Sequence, residues 1–270
     1  MTELRDARVV ITGAASGLGR RMALGAAQRG AMLSLWDVNA AGLDAVVAEV
    51  TSLGGRAQPV VCDVSDRRAV YAAAAADADP VDVLINNAGI VSGKSLLEIP
   101  DEQIERSLHI NTHSLFWMTK AFLPAMIERN RGHIVTIASA AGLIGVPRLT
   151  DYCASKFAAV GFDESLRVEL RQRAPGVRTT VVCPYYIDTG MFEGVKTRFS
   201  FLLPILQETK VADRILNAVE RDRPRLQMPA LVHTIPLLRL LPVPWFDAVA
   251  RILGISTSTD DLIGRDSNSP

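Results

Sequence analysis

A glycine-rich turn between an apolar strand and a helix constrains the fold of this chain more than any other feature. Residues Arg8–Thr12 predict a buried first strand, and the helix after the glycines extends to about Gly30. In this setting Gly13 permits a tight turn, Gly17 lets the backbone approach a pyrophosphate, and Gly19 lets the helix pack closely on the strand. The free N–H groups at the start of the helix then face the phosphates. The pattern therefore favours a nucleotide-binding βα unit over a purely structural turn.

The second predicted strand, Ala31–Trp36, is followed by an acidic residue, Asp37. A carboxylate at this position binds the adenosine ribose hydroxyls and repels a 2′-phosphate. Like charges 4 Å apart repel by roughly 4 kcal/mol at an effective dielectric near 20. We therefore expect NAD rather than NADP. The alternative is that Asp37 only caps the helix that begins near Asn39.

Apolar runs alternate with helical patterns along the rest of the chain, which indicates an α/β fold with a parallel sheet. Ser139 directly follows one of the apolar runs, so its hydroxyl is expected at the carboxyl edge of the sheet, where such folds bind ligands. Further strands are predicted at 57–62, 81–85, 133–138 and 177–182, and helices at 40–53, 101–129 and 152–172.

Tyr152 and Lys156 stand four residues apart, which places both side chains on one face of a helix. A free phenol has a pKa of about 10, and a lysine cation about 4 Å away stabilises the ionised form by several kcal/mol at moderate dielectric. The pair is therefore a candidate general base. Taken alone, the same spacing is also typical of an ordinary surface pair on a helix.

Four motifs together resemble the short-chain dehydrogenase/reductase family, and their order and spacing match from residue 8 to about residue 190. They are the turn Thr12–Gly19, the segment Asn86-Asn87-Ala88-Gly89, the lone Asn111, and Ser139 followed by the Tyr152/Lys156 pair. The resemblance implies a single α/β domain with a doubly wound (Rossmann), mostly parallel seven-stranded sheet. It also implies reversible oxidation of an alcohol to an aldehyde or ketone, with hydride passing to NAD.

The same resemblance assigns a catalytic tetrad. Tyr152 takes the hydroxyl proton, Lys156 lowers the pKa of the tyrosine and binds the nicotinamide ribose, and Ser139 orients the substrate oxygen. Asn111 bends its helix locally and fixes a water that connects Lys156 to solvent. This helix and the one carrying Tyr152 are expected to pack against their copies in a homodimer or homotetramer.

The family resemblance also implies contacts with the cofactor at several points along the chain. Asp63 and Val64 correspond to the adenine contact of the family, although Asp63 equally fits a cap for the helix after Ser65. The segment after residue 183 departs from the family pattern, because Tyr185 stands where glycine is usual. The expected cofactor-binding residues are Gly13, Ser16, Gly17, Leu18, Gly19, Asp37, Asp63, Val64, Asn86, Asn87, Ala88, Gly89, Tyr152, Lys156, Pro184, Ile187 and Thr189.

The substrate side of the predicted site is apolar. The loop 140–151 contributes four aliphatic side chains and a single cation, Arg148, and we expect a substrate loop at about 185–208. The segment Pro184–Phe192 and the apolar tail are similar to a branch of the family that contains retinol and hydroxysteroid dehydrogenases of membranes and lipid droplets. We therefore expect a retinoid, a steroid or another apolar alcohol as substrate.

The C-terminal part is strongly apolar from Leu226 to Ile255, yet charged residues and prolines interrupt it before it reaches the length of a membrane span. We divide the chain into a catalytic region, 1–225, and an extension, 226–270, that packs on the same domain. Pro244 to Gly254 predicts a short amphipathic helix that covers the pocket or forms an interface, in preference to docking on a membrane. The ending 266–270 is expected to be disordered.

Composition excludes several classes of function. Twenty-nine basic residues balance twenty-nine acidic ones, which gives no reason to expect a nucleic acid partner. Cys62, Cys153 and Cys183 lack the spacing of metal ligands and predict buried free thiols and no metal. No signal peptide precedes the charged start of the chain, so a cytoplasmic protein, with peripheral membrane contact at most, is expected.

Two rival functions stay open at the level of sequence. An NADPH-dependent carbonyl or 3-oxoacyl reductase fits the same motifs, but Asp37 and the lack of a basic patch for a carrier protein argue against it. A non-catalytic dinucleotide-binding scaffold also fits the fold, but it has no need of all four tetrad residues.

Overall fold

A computed structural model describes residues 1–77 and 79–262. Its sheet has seven parallel strands in the order β3-β2-β1-β4-β5-β6-β7, which confirms the predicted architecture. The strands are β1 (Arg8–Thr12), β2 (Met32–Asp37), β3 (Arg56–Val61), β4 (Val83–Asn86), β5 (Gly132–Ile137), β6 (Val177–Pro184) and β7 (Arg225–Met228). The expected boundary at residue 225 therefore falls within a strand of the sheet.

Helices connect the strands and cover both faces of the sheet. They are α1 (Gly17–Gln28), α2 (Ala40–Ser52), α3 (Arg67–Ala76), α4 (Asp101–Leu108), α5 (Ser114–Glu128), α6 (Thr150–Arg173), α7 (Glu208–Glu220), α8 (Ile235–Leu238) and α9 (Val243–Ile252). Short 3₁₀ turns lie at Ala140–Gly142, Ala230–Thr234 and Ile255–Thr257. The expected disordered ending, 266–270, lies outside the described residues.

Alternate side chains of the central strands enter two different cores. Val9 and Ile11 pack with α1, α2 and α7, whereas Val10 between them packs with α3, α5 and α6. Because both faces are buried, the strands are nearly continuous apolar runs, as parallel strands require. The cysteines at 62, 153 and 183 are free and buried, as predicted.

The chain reverses its direction of winding between β1 and β4, which are neighbours in the sheet. In open α/β sheets, ligands bind at the carboxyl ends of the strands at such a reversal. Thr12, Asp37, Asn86 and Pro184 each end a strand, and Ser139 follows β5 by two residues. The fold therefore gathers the predicted site residues on one edge.

Candidate active site

The glycine turn forms a cradle that has no room for side chains. A Cβ on Gly19 would overlap the carbonyl oxygen of Gly13, and a Cβ on Gly13 would lie 3.0 Å from Cα of Ala88. Gly13 and Gly17 have φ angles of 65° and 49°, in the left-handed region that favours glycine. The turn leads into α1, whose first N–H groups are free to bind an anion. These residues therefore fit the phosphates of a dinucleotide.

Asp37 lies beside this turn rather than at the start of α2. Its Oδ2 accepts a 3.0 Å hydrogen bond from the backbone N–H of Ala15, and its Oδ1 accepts one from the N–H of Asn39. The N-cap of α2 is Asn39, whose side chain accepts from the N–H of Gly42. The alternative reading of Asp37 as a helix cap is therefore wrong, and its carboxylate faces the cradle.

Asp63 likewise does not cap a helix. It accepts hydrogen bonds from the backbone and the hydroxyl of Ser65. The N-cap of α3 is Asp66, whose carboxylate accepts from the N–H groups of Arg68 and Ala69. Two acids three residues apart compete for one cap, and only the one directly before the helix has the required position.

The segment after β4 is joined to the glycine turn. The side chain of Asn87 donates to the carbonyl oxygens of Thr12 and Gly13, while the hydroxyl of Thr12 accepts from the N–H groups of Asn87 and Ala88. Asn86 differs, because its buried side chain donates to Thr119 on α5 at 3.4 Å. The amide of Asn86 is thus engaged with the helical layer, whereas Asn87 shapes the cradle.

Asn111 lies in a π-helical segment, His109–His113, that separates α4 from α5. Its side chain accepts from the N–H of Ile90 at 2.8 Å and donates to the carbonyl of Ile90 at 2.9 Å and to the Ser155 hydroxyl at 3.0 Å. The predicted single helix 101–129 is thus divided at the asparagine. A widened turn of this kind often marks a functional position in a helix.

Ser139, Tyr152 and Lys156 meet at the end of β5. The Ser139 hydroxyl accepts from the N–H of Ala141 at 3.1 Å and donates to the carbonyl of Pro184 at 3.4 Å, and it lies close enough to the Tyr152 hydroxyl to influence its pKa. The Lys156 ammonium donates to the carbonyl of Ile137 at 2.9 Å and lies 5.6 Å from the centre of the Tyr152 ring. All three side chains are buried.

Burial dominates the acidity of this group. It raises the pKa of Tyr152 above its ordinary value, against a smaller lowering by the hydrogen bond to Ser139. Burial also lowers the pKa of Lys156 to about 8. Removing water from a phenolate is costly, and in the protein alone this cost outweighs the lowering of the Tyr152 pKa by Ser139. In this state Tyr152 holds its proton at neutral pH.

The segment after β6 returns to the glycine turn. A Cβ on Gly17 would lie 3.3 Å from Cβ of Thr189, so the two predicted contact residues are neighbours. Ile187 forms a parallel bridge with Leu206, which fixes the base of the substrate loop. Thr189, 172 residues from Gly17 in the chain, thereby comes to the phosphate cradle.

A cavity of about 770 Å³, including its mouth, opens next to Ser139 and Tyr152. Its described lining residues carry no charge, and the other hydroxyls in it belong to Tyr185, Tyr186 and Thr234. One face of α9 forms part of the wall. The aliphatic and aromatic lining comprises Ala140, Ala141, Ile144, Val146, Leu149, Phe192, Leu203, Leu231, Val232, Ile235, Leu238, Phe246, Val249, Ala250, Leu253 and Ile255.

Several of these lining residues were not singled out from the sequence. Tyr186 hydrogen-bonds the buried Ser258 hydroxyl at 3.0 Å and packs edge-on against Phe192. Phe192 in turn packs edge-on against Tyr152. The one signal in the sequence was the density of aromatic residues directly after β6, where a loop exposed to water would be polar.

No helix within 1–77 and 79–262 combines the length and the apolar character needed to cross a bilayer. The same residues contain no group of three or more His, Cys, Asp or Glu side chains arranged to hold a metal ion.

Comparison with known proteins agrees with this geometry. A family model described as short chain dehydrogenase matches residues 7–198. Epidermal retinol dehydrogenase 2 of Mus musculus is 45% identical over 263 residues, which cover 95% of this chain and 85% of that protein. Retinol dehydrogenase 10 of Homo sapiens is 42% identical over 277 residues, covering 91% of this chain and 81% of that protein.

Solved structures give the same result. A short chain dehydrogenase/reductase from Burkholderia phymatum, in complex with NAD, has a TM-score of 0.80 and 30% identity over 89% of this chain and 95% of its own. A 3-oxoacyl-[acyl-carrier protein] reductase from Brucella melitensis, with bound NAD, has a TM-score of 0.74 and 29% identity over 84% of this chain and 91% of its own.

Proposed function

We propose, because this chain belongs to the short-chain dehydrogenase family, that it is an NAD-dependent oxidoreductase for an apolar alcohol of the retinoid class and the corresponding aldehyde. The observation that carries the substrate class is the uncharged cavity that ends at the hydroxyls of Ser139 and Tyr152. The names of the relatives favour a retinoid over a steroid or a fatty alcohol.

In the proposed reaction, residues of the chain bind and orient the substrate and exchange a proton with it. Ser139 donates a hydrogen bond to the substrate oxygen, and Tyr152 takes the hydroxyl proton during oxidation or gives it to the carbonyl during reduction. Lys156 lies behind Tyr152, and Asn111 holds the Ile90 backbone beside them. When bound, the nicotinamide accepts or supplies the hydride. The apolar wall excludes water from the reacting carbon.

The two directions of the reaction require different protonation states of Tyr152. A phenol whose pKa is raised by burial is ready to donate a proton to a carbonyl. Oxidation requires the phenolate, so we expect its rate to rise with pH on the alkaline side. The positive charge of Lys156, together with that of an oxidised nicotinamide if one were bound, would favour the phenolate.

The experiment that tests the function is NADH formation from a panel of apolar alcohols, with retinol and a short secondary alcohol included. We expect turnover with retinol and its loss in Tyr152→Phe, while NADH binding, measured by fluorescence titration, is retained. Turnover retained in Tyr152→Phe would refute the assigned role. Tight NADH binding without turnover on any alcohol would instead support the non-catalytic scaffold.

Asp37 supports the choice of NAD. We expect Asp37→Ala to lower the ratio of kcat/KM for NAD to that for NADP by at least tenfold, because the repulsion of the 2′-phosphate is lost. Asp44→Ala, which removes an exposed acid of α2, serves as the matched control for the loss of charge. An unchanged ratio in Asp37→Ala would remove the argument against NADPH.

We also propose peripheral contact with lipid through the outer side of α8 and α9. Leu240 and Trp245 are 80% and 69% exposed there, and Leu237, Val243 and Ile252 are exposed as well. Large exposed apolar patches mark interaction sites, and an amphipathic helix of this kind lies in a bilayer surface. The inner side of α9 lines the cavity, so an apolar substrate would reach the cavity from the lipid.

A further inference from the structure

A buried carboxylate directly precedes Tyr152 and has no part in the proposed chemistry. Asp151 is 5% exposed, and its two oxygens accept hydrogen bonds from the hydroxyls of Ser92 at 2.7 Å and Ser107 at 2.8 Å. Both serines are themselves buried. Ser92 lies in the loop after β4 and Ser107 on α4, so one side chain connects three segments. Two such bonds at a desolvated carboxylate are costly to lose.

The first turn of α6 needs such support. Its N-cap position, Leu149, makes no side-chain hydrogen bond to the helix. A missing polar cap costs about 1 kcal/mol and leaves the first turn prone to fraying. Tyr152 is the third residue of this helix. Asp151 lies in the same turn, and its side chain fastens the turn to residues outside the helix. The helix dipole also favours a carboxylate at a helix start.

The contacts of Asp151 run parallel to those of Asn111. Asn111 connects Ile90 to Ser155, whereas Asp151 connects Ser92 to Ser107. Ser107 and Asn111 are four residues apart, as are Asp151 and Ser155, so the two sets of bonds lie one helical turn from each other. The π-helical segment begins at His109, between Ser107 and Asn111. The Asp151 bonds therefore fix the alignment of α4 and α6 just before the π-helical segment, where α4 is still a regular α-helix.

We propose that Asp151 is a positioning residue, which holds Tyr152 in line with Ser139 and Asn111 by fastening the start of α6 to Ser92 and Ser107. The inference rests on the proposed function, because it concerns the placement of the proposed acid and base. Its hydrogen bonds, rather than its charge, carry the effect. A role in stability alone is the competing explanation.

The test compares kcat with cofactor affinity. We expect Asp151→Ala to lower kcat for alcohol oxidation roughly 10- to 100-fold, because small misplacement of a catalytic group has effects of that size. NADH affinity, measured by fluorescence titration, should change less than twofold. Asp151→Asn should recover most of the loss, since its amide can accept from one serine and donate to the other. The matched control is Asp163→Ala, a buried carboxylate on the same helix, which should keep wild-type kcat.

A double variant separates positioning from stability. In the Tyr152→Phe background no phenol remains to be positioned, so adding Asp151→Ala should lower the residual rate less than twofold. Equal loss in both backgrounds, or full kcat in Asp151→Ala, would overturn the proposal. Neither result bears on the proposed function. That function is tested separately, by comparing the turnover of the wild type with that of Tyr152→Phe. If Asp151→Ala does not fold, Ser107→Ala, which removes one donor, takes its place in the same comparison with a several-fold loss expected.

Discussion

Asp163 illustrates how strongly the interior acts on a single side chain. It is fully buried on α6, its Oδ2 accepts from Thr179 at 3.4 Å, and no donor among the described residues reaches its Oδ1. Burial raises its pKa to about 7, against a lowering by Arg167. A carboxyl group with a raised pKa binds its proton more tightly in the folded state. Its contribution to stability is therefore present below pH 4 and is lost as pH rises through 7.

We expect Asp163→Asn to abolish this dependence. Between pH 5.5 and pH 8 the free energy of unfolding of wild type should fall by about 2 kcal/mol relative to the variant. Urea unfolding at the two pH values measures the difference. A constant offset between the two proteins would show that Asp163 is ionised throughout.

Residue types along the chain predicted the tetrad and the cradle but not the partners of each side chain. The pattern could not show that Asp66 rather than Asp63 caps α3, because two nearby acids fit one signature. It also could not separate Asn86, which bonds α5, from Asn87, which bonds the glycine turn. Alternate residues at a strand end point to opposite faces of the sheet. The exact residue at which the strand ends therefore decides which asparagine faces α5 and which faces the glycine turn.

At the scale of elements, α9 carries two apolar faces with different environments. Phe246, Val249, Ala250 and Leu253 face the cavity, as the amphipathic pattern indicated. Val243, Trp245 and Ile252 are exposed. The π-helical segment in contrast had no signal beyond one asparagine, because apolar spacing continues through it and a single extra residue in a turn leaves the pattern almost unchanged.

We expect Val249→Trp to reduce the cavity and raise KM for retinol at least tenfold, since overpacking costs roughly 1–3 kcal/mol. KM for a short secondary alcohol should change little, because a short substrate occupies less of the cavity. Val243→Trp, on the exposed side of the same helix, is the matched control and should leave both values unchanged. Equal effects of the two substitutions would show that α9 does not form the wall in solution.

At the scale of the whole molecule, the sheet order followed from the family resemblance, whereas the cavity did not. Its wall is assembled from the loop after β5, the substrate loop and α8 to α9, whose relative placement depends on packing between distant segments.

The expected homodimer or homotetramer would use another surface of the protein, formed by α5 and α6. Phe116 on α5 and Val168 on α6 are 43% and 51% exposed, and Phe116 packs edge-on against Phe162.

We expect Phe116→Glu combined with Val168→Glu to reduce the mass measured by sedimentation velocity to that of a monomer, because a buried unpaired charge opposes the apolar contact. Leu240→Glu, on the outer side of α8 to α9, is the control and should leave the mass unchanged. That control should instead lower co-sedimentation with phosphatidylcholine vesicles. A wild-type monomer would contradict the expected assembly through α5 and α6.

The position of α9 in the chain has a consequence for how such proteins diversify. All four proposed catalytic residues precede residue 157, whereas α9 begins at Val243 and meets them only across the cavity. Mutations in the last part of the gene can therefore alter which alcohol is accepted without touching the groups that move the proton. Exchange of this C-terminal segment between relatives would change the substrate selectivity and leave the proposed catalytic residues unchanged.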